Sequence, residues 1–584
     1  MTTAVPQKGA DGFYHPTSEA QIIALVNKAS QENLEIRCRG AAHSLARAIY
    51  TDPGAGEPQL PNEVSEQKPP IGPNLNIMFD QYLKLEWIDQ AKGIIEVEAG
   101  IHLGYDPEDP TGTSTLENSL LYQVFAKGFT LSDLGGISHQ TVSGFLMTGS
   151  SGGSLWYGID ENIIGISIID GNGHAEWFTK DQDEFGAVVL SLGLLGIVSK
   201  IRLQLEPNYF IYGQQITYPT ALPDCPIDLF GEGSPEKPSL QDYLLKTPYS
   251  RILWWPQEKV ERVVIWEASR GAAMPVFDPA PYEEFADNNL VSNVEQLGAS
   301  MLFTMLGNSK FTTVWQKLKP SFSEFRHLTE LSWGGGFLAK VFAYILTFIL
   351  KALGFLLTFF LMAFPSILRA LYPVVVDILQ PLTKKGKAQL FMDYTYSSLP
   401  MDNGANDIMM GTEFTEIWIP LTDTRRAMQL LDTMFKEDKF KATGYYSTEL
   451  YAGKQNNSWL SPAYKRDVFR IDFFWFSTNE GNPAARDGFF SQFWERLEKE
   501  NIPFRLHWAK FLPEYDYGHW ATYFRSQYPR WDDFMALRAK RDPQNIFLND
   551  YWSLHLFGQA KNTLPNVPEK QADTNQNGIM QVIN

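Results

Sequence analysis

The sequence predicts an α+β fold of two or three folding units, and three observations lead there. The 584 residues exceed what one hydrophobic core ordinarily organises. Hydrophobic residues make up 44% and aromatics 14%, enough for large cores and for an enclosed pocket able to take a flat ligand. Helix-like and strand-like periods alternate along the first two hundred residues, and the middle of the chain is mixed.

The elements follow in order. An amphipathic stretch over residues 19–31 predicts a helix, and a short strand at 35–39 runs into the turn Gly40-Ala41-Ala42-His43-Ser44. A Pro-rich loop spans 53–75. Further strands are expected at 93–98, 163–170 and 197–205. Between Gly334 and Leu379 the only charges are Lys340, Lys351, Arg369 and Asp377. This apolar insert, taken as about 334–380, is borderline for crossing a bilayer, which needs roughly 20 apolar residues, and Pro365 interrupts it. Helices lying in or on a membrane surface are the favoured reading; a buried lid or dimer surface and a true span stay open. Residues 502–552 read as strand, turn and amphipathic helix closing at Asp542-Pro543-Gln544. The Asn/Gln-rich tail, 559–584, is expected to fray.

Composition excludes several functions. A formal charge of -18 with no basic, aromatic-interleaved stripe makes nucleic acid an unfavourable partner. Two cysteines, Cys38 and Cys225, provide neither a disulfide framework nor a metal cluster, so no metal site is expected. The first residues lack the layout of a signal peptide, which predicts a cytoplasmic protein, peripheral on a membrane if the insert binds one. GxGxxG opening a helix, GxxxxGK[ST] and HExxH are all missing.

Gly149-Ser150-Ser151-Gly152-Gly153 satisfies the GxSxG of serine hydrolases, with Ser151 as the nucleophile. That elbow demands a helix directly after the serine, and the aromatic, Gly-punctuated run that follows starts helices poorly. Hydrolysis through Ser151 therefore stands as the alternative of another class. The small-residue turns at 40–44 and 148–154 instead read as a pair of backbone N–H nests able to neutralise one pyrophosphate. From the first of them the imidazole of His43 projects toward whatever ring is bound.

Here the residues resemble a known family. Arg37-Cys38-Arg39-Gly40-Ala41-Ala42-His43-Ser44 resembles the R-x-x-G-x-x-H-S turn of the vanillyl-alcohol-oxidase superfamily with its PCMH-type FAD-binding domain, in the alditol and aldonolactone oxidase branch. Gly135-Gly136-Ile137-Ser138-His139-Gln140-Thr141-Val142-Ser143-Gly144, continued by Thr148-Gly149, resembles the branch's second flavin loop, with Ser150-Ser151-Gly152 where T-H-G is usual. The run around Ile197 resembles its adenine-side strand. Trp459-Leu460-Ser461-Pro462-Ala463-Tyr464-Lys465-Arg466-Asp467 is similar to a segment of bacterial alditol oxidases. His507-Trp508-Ala509-Lys510 resembles the branch's H-W-G-K, and the stretch from Tyr528 to Asn549 its closing segment.

The resemblance implies a two-subdomain FAD-binding domain at 1–207, a cap domain of antiparallel sheet and helices at 208–500 carrying the insert, and a C-terminal segment, 501–558, completing the flavin site. It implies FAD, covalent through His43, and contacts to it from Arg39, Gly40, Ala41, Ala42, Ser44, Gly135, Gly136, His139, Thr141, Gly144, Thr148, Gly149, Ser150, Gly152, Ile197 and Asn549. Lys510 is placed by the flavin N1–C2=O edge, where its charge stabilises the anion formed as hydride arrives. Glu449 or His507 is placed to manage the substrate hydroxyl proton. Tyr451 stands where alditol oxidases have arginine, and Gly136 where they have a serine contacting substrate. With those two polar contacts gone, and given the apolar insert, the expected substrate is bulky or lipid-like and oxidised at CH–OH; a polar sugar lactone or alditol is the alternative. Oxygen, for which Gly135 leaves a path, or a quinone is the acceptor.

Overall fold

The computed structural model describes residues 4–51, 72–220, 225–272, 278–285, 289–380, 382–383, 388–437, 446–478 and 482–564. Most of the Pro-rich segment and the tail beyond 564 lie outside them. The first helix, Glu19–Glu32, buries Ile22, Leu25, Val26 and Ala29 and ends on Asn33 in the left-handed region at φ 52°, as its helical period demands. Strand Ile36–Arg39 pairs in parallel with Leu75–Met78.

Among the described residues, two antiparallel sheets organise the rest. The smaller has five strands in the order Leu85–Asp89, Ile94–Glu98, Ile197–Gln204, Ile163–Ile169, Ala175–Thr179. The larger has eight, in the order Gln389–Tyr394, Phe210–Pro219, Arg262–Gly271, Tyr249–Trp255, Thr448–Gly453, Val468–Phe476, Thr412–Pro420, Arg505–Leu506. One continuous core runs through both, so the larger sheet roofs the first unit.

A helical unit with its own core hangs from the large sheet: Asn289–Leu306, Phe311–Lys317, Lys319–Ser332, Phe337–Ala363 and Pro365–Leu379. It begins some 45 residues before the apolar insert read from sequence. The first helix escaped that reading because it buries polar residues, Asn293, Gln296, Ser300 and Thr304, which blur its apolar period. Helix Phe337–Ala363 is also inverted. It turns Ala339, Ala343, Thr347, Gly354 and Thr358 inward and leaves Phe348, Leu356 and Phe359 at 68%, 65% and 63% exposure. Gly354 is required by this close approach, since an added Cβ would come within 2.9 Å of Met301 Cε.

At the C-terminal end the single amphipathic helix expected from sequence is two, Tyr517–Gln527 and Trp531–Arg541. Tyr528, held extended before Pro529, breaks them. A third helix, Asp550–Phe557, follows. This segment returns to the start of the chain: Ile36 N donates to Ile546 O at 2.8 Å and Trp552 Nε1 to Ala48 O at 2.9 Å.

Candidate active site

A cleft of about 1090 Å³ runs between strand Ile36–Arg39, helix Val142–Thr148 and the 192–198 turn. It opens into a second compartment of about 1390 Å³ under the large sheet. His43, Gln140, Ser150, His507, Ala509 and Lys510 line both, and this shared waist is where a long cofactor's ring end would meet a substrate.

The first turn is shaped by close packing. Ala42 lies in the left-handed region at φ 64°, and a Cβ added at Gly40 would run into the Thr141 side chain, so small residues here are a steric demand. Buried Arg37 ties the turn to its surroundings by donating to Ala48 O at 2.7 Å, Leu192 O at 3.0 Å and Phe547 O at 3.0 Å. The His43 ring stacks on His139 with centroids 4.8 Å apart. Its Nε2 is buried with no hydrogen-bond partner among the described residues. Burial, reinforced by His139 and Lys510, holds His43 well below the usual imidazole range, so the ring is neutral, keeps an unpartnered nitrogen and lines both compartments. A small-residue cradle and an orphaned imidazole nitrogen fit a bound dinucleotide-flavin.

Thr141 caps helix Val142–Thr148 by accepting from Gly144 N at 3.2 Å, and Gly149 ends it at φ 81°. No helix follows Ser151, whose hydroxyl donates to Gly152 O. The order is helix, turn, coil, the reverse of a nucleophile elbow, and the hydrolase alternative falls on this geometry. Segment 150–153 is instead pinned from both sides: Gly152 N donates to Asp133 at 3.2 Å, and from the large sheet Ser250 N donates to Gly153 O at 2.9 Å and Arg470 to the carbonyls of Ser151 and Gly152, each at 3.0 Å.

From the C-terminal side, Leu45 N donates to Ala509 O at 3.2 Å, which locks the His43 turn against the His507–Lys510 turn. His507 lies 3.3 Å from Ser150 Oγ through Nε2, and burial pushes it down to about 4. Lys510 sits 4.2 Å over the Phe414 ring; burial lowers it, and Glu416, Asp472 and Asp407 pull it back up.

The roof is built by strand register. Across three adjacent strands Glu449 pairs with Asp472 and Asp472 with Glu416, while Tyr451 pairs with Arg470 and Arg470 with Trp418. Alternating side chains project to one face, so a row of three carboxyl groups, with Tyr451 and Arg470 beside it, lines the second compartment. Arg470 Nε donates to Glu416 at 2.8 Å and its NH2 group to Tyr451 Oη at 2.6 Å. The guanidinium lies 3.8 Å from the Tyr451 ring, and Tyr451 donates to Asp472 at 2.8 Å. Burial pushes Glu449 up to about 7 against the pull of Arg251, whose Nε is 3.9 Å away. Asp402, ion-paired with Arg251, donates its backbone N–H to Gly136 O at 2.7 Å, and a Cβ on Gly136 would strike its carboxylate.

Most of the residues singled out from sequence come together here. Arg39, Gly40, Ala41, Ala42, His43, Ser44, Thr141, Gly144, Thr148, Ser150 and Ile197 line the cleft, and Gly135, Gly136, Glu449 and Tyr451 line the second compartment. Four do not. Gly149 and Gly152 are backbone hinges, and His139 stands behind His43. Asn549 is consumed structurally: its amide donates to Arg47 O at 2.8 Å and Tyr50 O at 2.7 Å, and its oxygen accepts from Trp552 N at 3.0 Å. Sequence reasoning missed Arg251, Asp402, Glu416, Arg470 and Asp472. The signal for Arg470 and Asp472 was charge at period two inside an otherwise apolar strand.

Comparisons with known proteins show what the chain is similar to. The family model described as D-arabinono-1,4-lactone oxidase matches residues 351–555. An L-gulonolactone oxidase of Scyliorhinus torazame is 21% identical over 553 residues, 93% of this chain and 95% of that one. A D-arabinono-1,4-lactone oxidase of Saccharomyces cerevisiae is 23% identical over 263 residues, 44% of this chain and 41% of that one. A solved cholesterol oxidase from Brevibacterium sterolicum superposes with a TM-score of 0.59 at 13% identity, over 93% of this chain and 94% of that one, a likeness of fold. The chain is thus similar, over residues 351–555 by the family model and over nearly its whole length by its relatives, to the aldonolactone oxidases, FAD-linked oxidoreductases acting on CH–OH donors.

Proposed function

We propose that the chain oxidises a small polyhydroxylated substrate, a sugar lactone or an alditol, with FAD held covalently through His43. One observation carries the substrate class: the second compartment is roofed by hydrogen-bonding carboxyl and guanidinium groups, Glu416, Glu449, Asp472 and Arg470. Both polar contacts that the sequence had lost are replaced in space. Arg470, from the paired strand, stacks on Tyr451, and Asp402 occupies the room beside Gly136. An apolar substrate would strip water from these groups without replacing its hydrogen bonds, whereas a polyol satisfies them; the lining therefore supports the polar substrate over the bulky apolar one. D-arabinono-1,4-lactone and L-gulonolactone, the substrates in the relatives' names, are of this kind.

FAD, when bound, supplies the hydride acceptor. Glu449 takes the hydroxyl proton, with an affinity raised by burial to suit a base working near neutrality. Lys510 holds positive charge at the waist, and Arg470 with Tyr451 orients the remaining hydroxyls. His43, neutral and free at Nε2, is the group that carries the covalent bond. The test is anaerobic bleaching of the yellow protein by a panel of aldonolactones, alditols and apolar alcohols. Bleaching by polyhydroxylated members is expected; bleaching by apolar alcohols alone overturns the reading.

We also infer that the helical unit rests on a membrane. Helix Phe337–Ala363 has a mean hydropathy of 2.3 with only 22% of its most apolar window buried, a surface that water penalises. Residues 289–380 hold seven Lys and Arg against four Asp and Glu in a chain of charge -18. The unit is thus net basic in an acidic chain, as contact with anionic lipid headgroups favours.

A further inference from the structure

The flavin site and the helical unit are separated by a cleft of about 1510 Å³ that the oxidation of substrate does not use. One wall is the inner side of helices Asn289–Leu306 and Lys319–Ser332, and the other carries Glu108 and His139. At its inner end the cleft shares Glu284, Ala405 and Asp407 with the substrate compartment. There His139 stacks on His43. At its outer end lie Leu331 and Ser332, followed at once by Trp333 and then Phe337 and Leu338, the last two 80% exposed. The cleft therefore runs from the face inferred to rest in lipid to the back of the residue that would hold the flavin ring.

We propose that this cleft is the docking site of a lipid-borne quinone that reoxidises the reduced flavin. The proposal rests on FAD being bound at His43. Its chemistry balances: two electrons would pass from the reduced flavin across the stacked His43 and His139 rings, the flavin's proton would leave to solvent on its own side, and the quinone would take two protons from cleft carboxyls and leave as the quinol. The carboxyls regain their protons from solvent. Two groups suit that donation. Burial with Asp407, Glu324 and Asp106 nearby pushes Glu108 up to about 8, and burial pushes Glu284 up to about 7, so both hold protons near neutrality. One oxygen of each, Oε2, is buried without a hydrogen-bond partner among the described residues. Asn289, Ser292 and Asn293 line the same space and offer N–H and O–H donors for quinone carbonyl oxygens. Dissolved oxygen needs neither a lipid-side mouth nor such donors.

The test uses the full chain on anionic vesicles containing a short-chain azido-ubiquinone. Illumination is expected to label peptides carrying residues 328–332 or 400–407, and excess unmodified quinone to suppress the label. Label confined to the substrate compartment, or scattered without suppression, overturns the assignment. In parallel, the flavin is reduced with dithionite, so that reoxidation is read whether or not a sugar substrate has been found. Ser332→Trp, which narrows the outer mouth, is expected to slow reoxidation by vesicle quinone at least tenfold and to leave reoxidation by dissolved oxygen unchanged. An unchanged quinone rate, or an equal fall in both, overturns the proposal.

Discussion

Two side chains compete for the substrate's proton, and their surroundings separate them. Glu449 is pushed up to about 7 by burial, while the same burial drives His507 down to about 4. A base acts only when deprotonated. If Glu449 is the base, flavin reduction in stopped flow should rise with pH and level off above about 7; if His507 is the base, the limb falls near 4. Glu449→Gln is expected to flatten the limb and cost about 100- to 10,000-fold in the rate of reduction, with the flavin still bound. An unaltered limb in that variant removes Glu449 from the role. His43 allows an equally direct check. In wild type the colour should stay in the pellet after acid precipitation, whereas His43→Ala should release it to the supernatant. Colour in the wild-type supernatant defeats covalent attachment.

At the level of elements, substrate contacts arise from strand register. Tyr451 lends its hydroxyl to both Arg470 and Asp472, so Tyr451→Phe loses a pair of hydrogen bonds to charged groups. At about 1.5–3 kcal/mol for one such bond, kcat/KM for a polyol or lactone should fall at least tenfold, mostly through KM; an unchanged value would show that the row does not touch substrate. Gly136→Ser, which restores the residue of alditol oxidases, should not help here, because the new side chain meets Asp402. The same elements show what sequence can reveal. The turns at 40–44 and 148–154 were legible because tight backbone approach restricts them to small residues, whereas the 135–144 loop, the flavin role of His43 and the His507–Lys510 turn were read only through the family resemblance. Arg470, Glu416 and Asp402 were not legible, because they reach the site through pairings between strands and segments far apart in the chain, and local periodicity carries no trace of a partner strand. Asn549 shows the limit of a motif read locally: its side chain caps a helix and bonds Arg47 O and Tyr50 O.

On the scale of the whole molecule the unusual feature is an acidic enzyme body joined to a helical unit that turns its large apolar side chains outward. Deleting residues 336–380 would be a poor test, since Leu361, Leu368, Tyr372 and Val376 complete the core around Phe303 and Phe322; loss of binding would then report unfolding. The exposed face can be altered alone. Phe348, Leu356 and Phe359 are each at least 63% exposed, so replacing all three by Ser leaves the inner stripe of Ala343, Thr347, Gly354 and Thr358 intact. Burying one such side chain is worth about 1.5–3 kcal/mol. Even with only part of each reaching the acyl boundary, the triple variant should partition into anionic vesicles at least 100-fold more weakly in a flotation assay, while its bleaching by a soluble substrate stays at the wild-type rate. Raising the salt should weaken wild-type binding only in part, because ions screen the unit's basic charge and leave apolar insertion untouched. Equal flotation of variant and wild type would mean that this face meets something other than lipid.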